Sequence, residues 1–218
     1  MANLNFPIET AILKSALVCA STEETRYYLR GVHIEPQMHE LNIVSTDGHR
    51  LFCARIEPQR EAHYGMPTEP FIIPSEAVKK ALVGYKANYI YVRREGDTWF
   101  LGDITFTPVE GTFPQWRRTF PTQQTLAENL GHVAQFNPAY MADLAKIGKA
   151  LSSHRVPLMP HIHHCAENPA LVTFSGREDL FCLVMPMKSP DARSAAELDT
   201  MTALVAADVM PSQTMAAE

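Results

Sequence analysis

The chain has no CxxC pair, no HExxH helix, no glycine-rich phosphate loop and no GxSxG turn. These absences leave no Cys-rich zinc site, no zinc-peptidase helix, no nucleotide cradle and no hydrolase elbow to argue from. No apolar run reaches the length that spans a bilayer, and no charged-then-apolar leader opens the chain. A cytoplasmic location with no membrane partner is therefore expected. The four cysteines, Cys19, Cys53, Cys165 and Cys182, lie far apart. They read as buried free thiols rather than a disulfide framework. No enzyme signature emerges, and neither a cofactor nor a metal is expected.

What is present is a repeat. Three times an extended stretch runs into an amphipathic helix and then into hairpin strands. The helices start near Glu9, Ser75 and Pro138, a period of about 65 residues. In 218 residues this is an α+β arrangement of stacked units, with helices on one face of antiparallel sheets. Helices are expected over 9–21, 75–86 and 138–155. Ser75 is the expected N-cap of the second. Asn137 followed by Pro138 is a strong start for the third.

The segment Arg26–Ile34 is aromatic and β-branched and reads as a strand. Asp47-Gly48 reads as a hairpin turn between Leu41–Thr46 and His49–Ile56. In the third unit Val156–His163, Ala170–Phe174 and Leu180–Met187 read as strands. The polar stretch Thr122–Asn129 reads as a linker. The organisation expected is a two-unit domain over 1–125, a single unit over 130–188 and a mobile tail over 189–218.

Charge is unevenly spread. The chain carries −5 at pH 7 with histidine neutral, which argues against a protein that coats DNA by bulk attraction. Yet the expected helices hold Lys14, Lys79, Lys80, Lys86, Lys146, Lys149 and Arg155 against Glu9, Glu76 and Asp143. Two readings fit: ordinary solvated lysines, or a helical face that meets a polyanion.

Three further clusters have competing readings. His154, His161, His163, His164 and Cys165 could supply zinc ligands, but without a second Cys pair they read as exposed strand-end histidines. Ser45, Asp47 and His49 sit on one tight turn, which cannot give a base its place between nucleophile and orienter. Trp116, between Pro114 and Arg117-Arg118, is either a stacking platform for bases or a staple holding a loop to the domain.

Several segments resemble the bacterial DNA polymerase III beta subunit, the sliding-clamp superfamily. Thr25-Arg26-Tyr27-Tyr28-Leu29-Arg30-Gly31 is similar to part of its middle domain. Thr46-Asp47-Gly48-His49-Arg50-Leu51 matches that family's TDGHRL signature. Phe113 to Pro121 resembles the segment that closes the same domain, with Trp116 in place of the usual tyrosine. Phe136-Asn137-Pro138-Ala139-Tyr140 and Leu183-Val184-Met185-Pro186-Met187-Lys188 resemble pieces of its last domain.

The resemblance covers about residues 3–188. It implies a DNA-clamp fold, in which helices line a central hole around double-stranded DNA. Family members have six units per chain and twelve per ring, whereas three are counted here, so the resemblance implies a reduced form as the expectation. It implies a non-catalytic processivity factor for DNA replication, a homo-oligomer, with polymerase, clamp-loader or repair proteins as partners. Lys14, Lys79, Lys80, Lys86, Lys146 and Lys149 would face DNA. A peptide pocket would be lined by Leu29, Thr46, Gly48, His49, Arg50, Leu51, Pro114, Arg118, Asn137, Tyr140, Leu183, Val184, Met185, Pro186 and Met187. The alternative is a non-encircling adaptor or decoy that captures clamp-binding peptides.

Overall fold

Alternation along each strand decides which side chains face the helices. In a computed structural model, which describes residues 4–38, 40–57, 65–131, 134–153 and 155–187, eleven strands form two antiparallel sheets. The first unit holds β1 (Leu4–Glu9), α1 (Thr10–Cys19), β2 (Gly31–Pro36), β3 (Leu41–Thr46) and β4 (Arg50–Ile56). The second holds β5 (Phe71–Pro74), α2 (Ser75–Leu82), β6 (Tyr89–Glu95), β7 (Thr98–Leu101) and β8 (Ile104–Phe106). After α3 (Gln123–Asn129), the third supplies α4 (Pro138–Leu151), β9 (Pro160–His163), β10 (Ala170–Phe174) and β11 (Arg177–Val184).

The first two units exchange their opening strands. β1 pairs with β6 in the four-stranded sheet β1-β6-β7-β8, while β5 pairs with β2. The other sheet has seven strands, β5-β2-β3-β4-β11-β10-β9. Its middle joint, β4 to β11, sets Leu51 opposite Leu183 and Arg50 opposite Val184. The sheet thus runs across the expected boundary between 1–125 and 130–188.

Helices α2, α1 and α4 lie side by side, with α1 in the middle. Beneath them Phe6, Ile8, Val32, Ile34, Ile43, Phe52, Ile73, Ile90, Val172 and Val184 form one continuous core with Leu13, Val78 and Ile147 of the helices. The opposite face of the seven-stranded sheet is also covered. Leu29, Val44, Leu51, Cys53, Ile72 and Leu183 pack against Phe113 and Trp116. Covering on both faces leaves all of β3 buried.

Gly148 permits one close crossing. A Cβ there would lie 2.1 Å from the Leu158 carbonyl oxygen, and Leu158 N donates to Gly148 O at 3.0 Å. The chain leaving α4 therefore folds back flat against the helix.

Several local expectations are corrected. Arg26–Ile34 is not one strand: Tyr27–Leu29 is a 3-10 turn, and β2 begins at Gly31. The turn lets Leu29 O accept from Ser21 N and sends the Leu29 side chain into the second cluster. Ser75 does not cap α2; Pro74 holds that position without a side-chain cap. α2 stops at Leu82 because Gly84 takes φ of 69° two residues on, so Lys86 lies off the helix. α4 stops at Leu151, which leaves Arg155 off it as well.

The linker 122–129 contains α3, started by the Thr122 hydroxyl accepting from Thr125 N at 3.1 Å. Strand structure in 156–163 is confined to β9. Asn137 does cap α4, its side-chain oxygen accepting from Ala139 N, with Pro138 following. Expectations for the 189–218 tail and for His154 lie outside the described residues.

Candidate functional site

The β4–β11 joint gathers most of the expected pocket residues at one edge between the first and third units. The 46–49 turn is tightly built. Asp47 accepts from His49 N at 2.9 Å and Arg50 N at 3.0 Å, while Thr46 Oγ1 accepts from Gly48 N and donates to Arg50 O. Gly48 has φ of 93°, a conformation that favours glycine. The Ser45 hydroxyl donates to Ala16 O at 2.6 Å on the helix side. Asp47 is therefore engaged in holding the turn, Ser45 in a bond to α1, and the His49 ring in a stack on Tyr140.

Arg50 leaves this turn toward α4. It pairs with Asp47 at 3.2 Å and with Asp143, and its guanidinium lies 4.7 Å from the Tyr140 ring centroid. The His49 ring stacks over Tyr140 at 6.1 Å. Met185 N donates to His49 O at 2.8 Å, so the chain beyond β11 is stitched to the same turn.

Burial would raise the Asp143 pKa, but hydrogen bonds from Lys146 and Arg50 outweigh it and hold the carboxyl below its ordinary value. Burial disfavours the Arg50 charge, yet its hydrogen bond to Asp143 keeps the pKa raised. Asp143 was not among the expected site residues. Its signal is that it lies three residues after Tyr140 on α4, which sets both on one helix face.

The structure divides the expected pocket residues by depth. Leu29, Leu51 and Leu183 are buried together on the outer face of the sheet. Val184, next to Leu183, points the other way into the core under the helices. Met185 and Met187 are 40% and 51% exposed. Pro114, Arg118, Gly48 and His49 are exposed at the rim. Asn137 is committed to capping α4.

Trp116 is a staple. It is buried, its indole Nε1 donates to Glu35 at 3.1 Å, and the Arg117 guanidinium stacks over it while bonding both Glu35 oxygens at 2.8 Å. Burial opposes the Glu35 charge, but the bonds from Arg117 and Trp116 leave its pKa lowered.

On the opposite side of the molecule the helices present lysines. Lys14, Lys79, Lys80, Lys146 and Lys149 are exposed on α1, α2 and α4, and Lys86 is exposed just beyond α2. Glu76 pairs with Lys79 at 2.9 Å and Asp143 with Lys146 at 2.5 Å. The face remains net positive.

No cluster of three or more His, Cys, Asp or Glu side chains placed to hold a metal ion occurs among the described residues. His161 and His163 instead reach across the sheet to Ser175 at 2.8 Å and Thr173 at 3.0 Å. His164 tilts against Phe136. All four cysteines are free and buried. No described helix is long and apolar enough to cross a membrane.

Comparison with known proteins bears on the fold. A solved DNA polymerase III beta chain from Streptococcus pneumoniae superposes with a TM-score of 0.63 at 19% identity, covering 87% of this chain and 66% of that one. Caulobacter crescentus pol III beta gives 0.64 at 18% identity, with 86% and 67% covered. The fold is that of the DNA sliding clamps. Residues 8–85 match the family model of the DNA polymerase III beta subunit, central domain. Over those residues the chain is similar to that central domain. The beta sliding clamp of Proteus mirabilis is 29% identical over 122 residues, 52% of this chain and 32% of that protein. The match thus spans about a third of the curated relative's length.

Proposed function

We propose that this chain is a non-catalytic, sliding-clamp-like replication factor that tethers a polymerase or other DNA enzyme to duplex DNA. The observation that carries the reading is the β4–β11 joint. It brings the 46–51 hairpin, the start of α4 and the chain after β11 to one edge, while the lysines of α1, α2 and α4 lie on the other side of the sheet. One surface would receive a short peptide from the partner and the other would face the double helix.

The peptide surface is supported by its chemistry. Leu29, Leu51 and Leu183 form a buried apolar floor, Met185 and Met187 are adaptable exposed neighbours, and His49, Arg50 and Arg118 supply polar edges. The lysine face suits a ligand held by long-range attraction and free to slide, because exposed ammonium groups contact phosphates without reading bases.

Charge reversal at Lys79 and Lys80 tests the DNA half. A loss of retention on DNA is expected, and unchanged retention overturns it. In the second reading, the chain captures clamp-binding peptides without encircling DNA. It is favoured by the gathering of the 46–51 hairpin and the chain after β11 at one joint within a single chain, an arrangement that needs no ring.

A further inference from the structure

The N-terminus of α2 opens on a cavity of about 260 Å³ at the border of the lysine face. Its walls come from the end of α1, the turn before β2 and the first turn of α2. Arg30, Ser75 and Lys79 all line it. Three features of this cavity are unmet.

The helix has no side-chain cap, so N–H groups of its first turn point outward without one. Ser75 is only 8% exposed, and its hydroxyl has no hydrogen-bond partner among the described residues. A buried hydroxyl left unpaired is destabilising, so the site suits something that supplies an acceptor. Arg30 makes no side-chain hydrogen bond or salt bridge among the described residues, although its backbone oxygen fixes the helix start by accepting from Ser75 N at 2.9 Å.

We propose that this cavity seats one phosphate group of a nucleic-acid backbone, held by Arg30, Lys79, the Ser75 hydroxyl and the N-terminus of α2. Arg30, Ser75 and Lys79 line the cavity together, and the helix dipole adds positive potential at the same end. Glu76 is the opposing group. It lines the cavity and pairs with Lys79, but both side chains are more than half exposed, so that pair is weak and Lys79 is free to exchange it for a phosphate oxygen.

A diester from DNA is favoured over a free anion because the seat is continuous with the lysine face. Lys79 and Lys80 share α2, and Lys14 is exposed on the neighbouring α1. The site would give an otherwise loose electrostatic surface one fixed point of register. It rests on the reading of that face as DNA-facing.

The test uses the full chain and a fluorescent linear duplex, titrated across a salt series, with inorganic phosphate as a competing probe. Arg30→Gln should weaken duplex binding several-fold and reduce the salt slope by about one, the effect of losing a single phosphate contact. Ser75→Ala should weaken binding with little change in slope. Glu76→Gln should tighten it. Thermal melts establish that each variant is folded.

An Arg30→Gln protein with unaltered affinity and slope overturns the proposal. So does one that loses competition by inorganic phosphate while binding duplex normally, since the cavity would then be a free-anion site. Lys14→Glu and Lys149→Glu, which do not line the cavity, separate this from the broader reading. If they weaken duplex binding while Arg30→Gln is silent, only the phosphate seat fails. If they too are silent, the DNA-facing reading fails with it.

Discussion

Arg50 of β4 and Asp143 of α4 form an ion pair across the joint between the first and third units, each side chain only 14% exposed. They are 93 residues apart in sequence. The pair ties the 46–51 hairpin to the helix that carries Tyr140. It therefore holds in register two halves of the proposed peptide surface.

Replacing Asp143 with Asn should loosen that joint. The substitution leaves a largely buried guanidinium with Asp47 as its remaining charged partner, and a loss of about 1–3 kcal/mol is expected, below the cost of breaking a fully buried pair. Denaturant titration measures it. The Asp143 pKa is depressed in the fold. Its contribution is thus complete above the ordinary carboxylate range and disappears as pH falls through the lowered folded value. The Asn variant should lack that part of the acid sensitivity.

His33 sets a second, higher window. Its ring stacks on Phe113 at 4.4 Å with the planes nearly parallel, and its Nδ1 has no partner among the described residues. Burial is the main cause that lowers its pKa to about 4; nearby Glu35 works against the shift and Arg117 adds to it. The unfolded chain binds the proton more readily, so stability should fall as pH drops from about 6.5 toward 4. The full loss is about 3 kcal/mol at roughly 1.4 kcal/mol per unit. His33→Phe keeps the stack and should flatten stability between those pH values. A wild-type melting curve indifferent to pH across this window would contradict the assignment.

Trp116→Ala should detach the segment that covers the outer face of the sheet. Loss of the buried indole and of its bond to Glu35 is expected to cost about 3–5 kcal/mol. Hydrogen exchange should then rise in residues 109–120 and in β2, with the helix-side core little changed. Uniform loss of protection would show that the two clusters do not melt separately.

The peptide surface makes its own prediction. A peptide carrying a clamp-binding motif should bind the full chain, and Leu51→Asp or Met185→Asp should abolish binding. The Met185 change is the more telling, because its exposed side chain carries little of the fold. Binding that survives Met185→Asp counts against this surface.

Much of this architecture was legible in sequence because its signals are local. The helical spacing in Thr10–Cys19, the Asp47-Gly48 turn and the Asn137-Pro138 start each act over a few residues, and each appears in the structure. What was not legible depends on distant partners. Nothing near Asp143 announces Arg50, and no strand pattern reveals that β4 will pair with β11.

Other errors had local causes. Tyr27-Tyr28-Leu29 has strand-like composition, but the return of the chain to Ser21 imposes a turn. Grouping Leu183 with Val184 in one pocket overlooked the alternation that sends them to opposite faces. Ser75 has the right chemistry for a cap, yet it sits one residue too far into the helix.

The central claim is that this chain acts as a clamp on DNA, and the mass of the full chain in solution tests it most directly. Light scattering across a concentration series should reveal a stable oligomer, a tetramer if twelve units close the ring. A monomer at every concentration would contradict encirclement, because three units cannot surround a duplex.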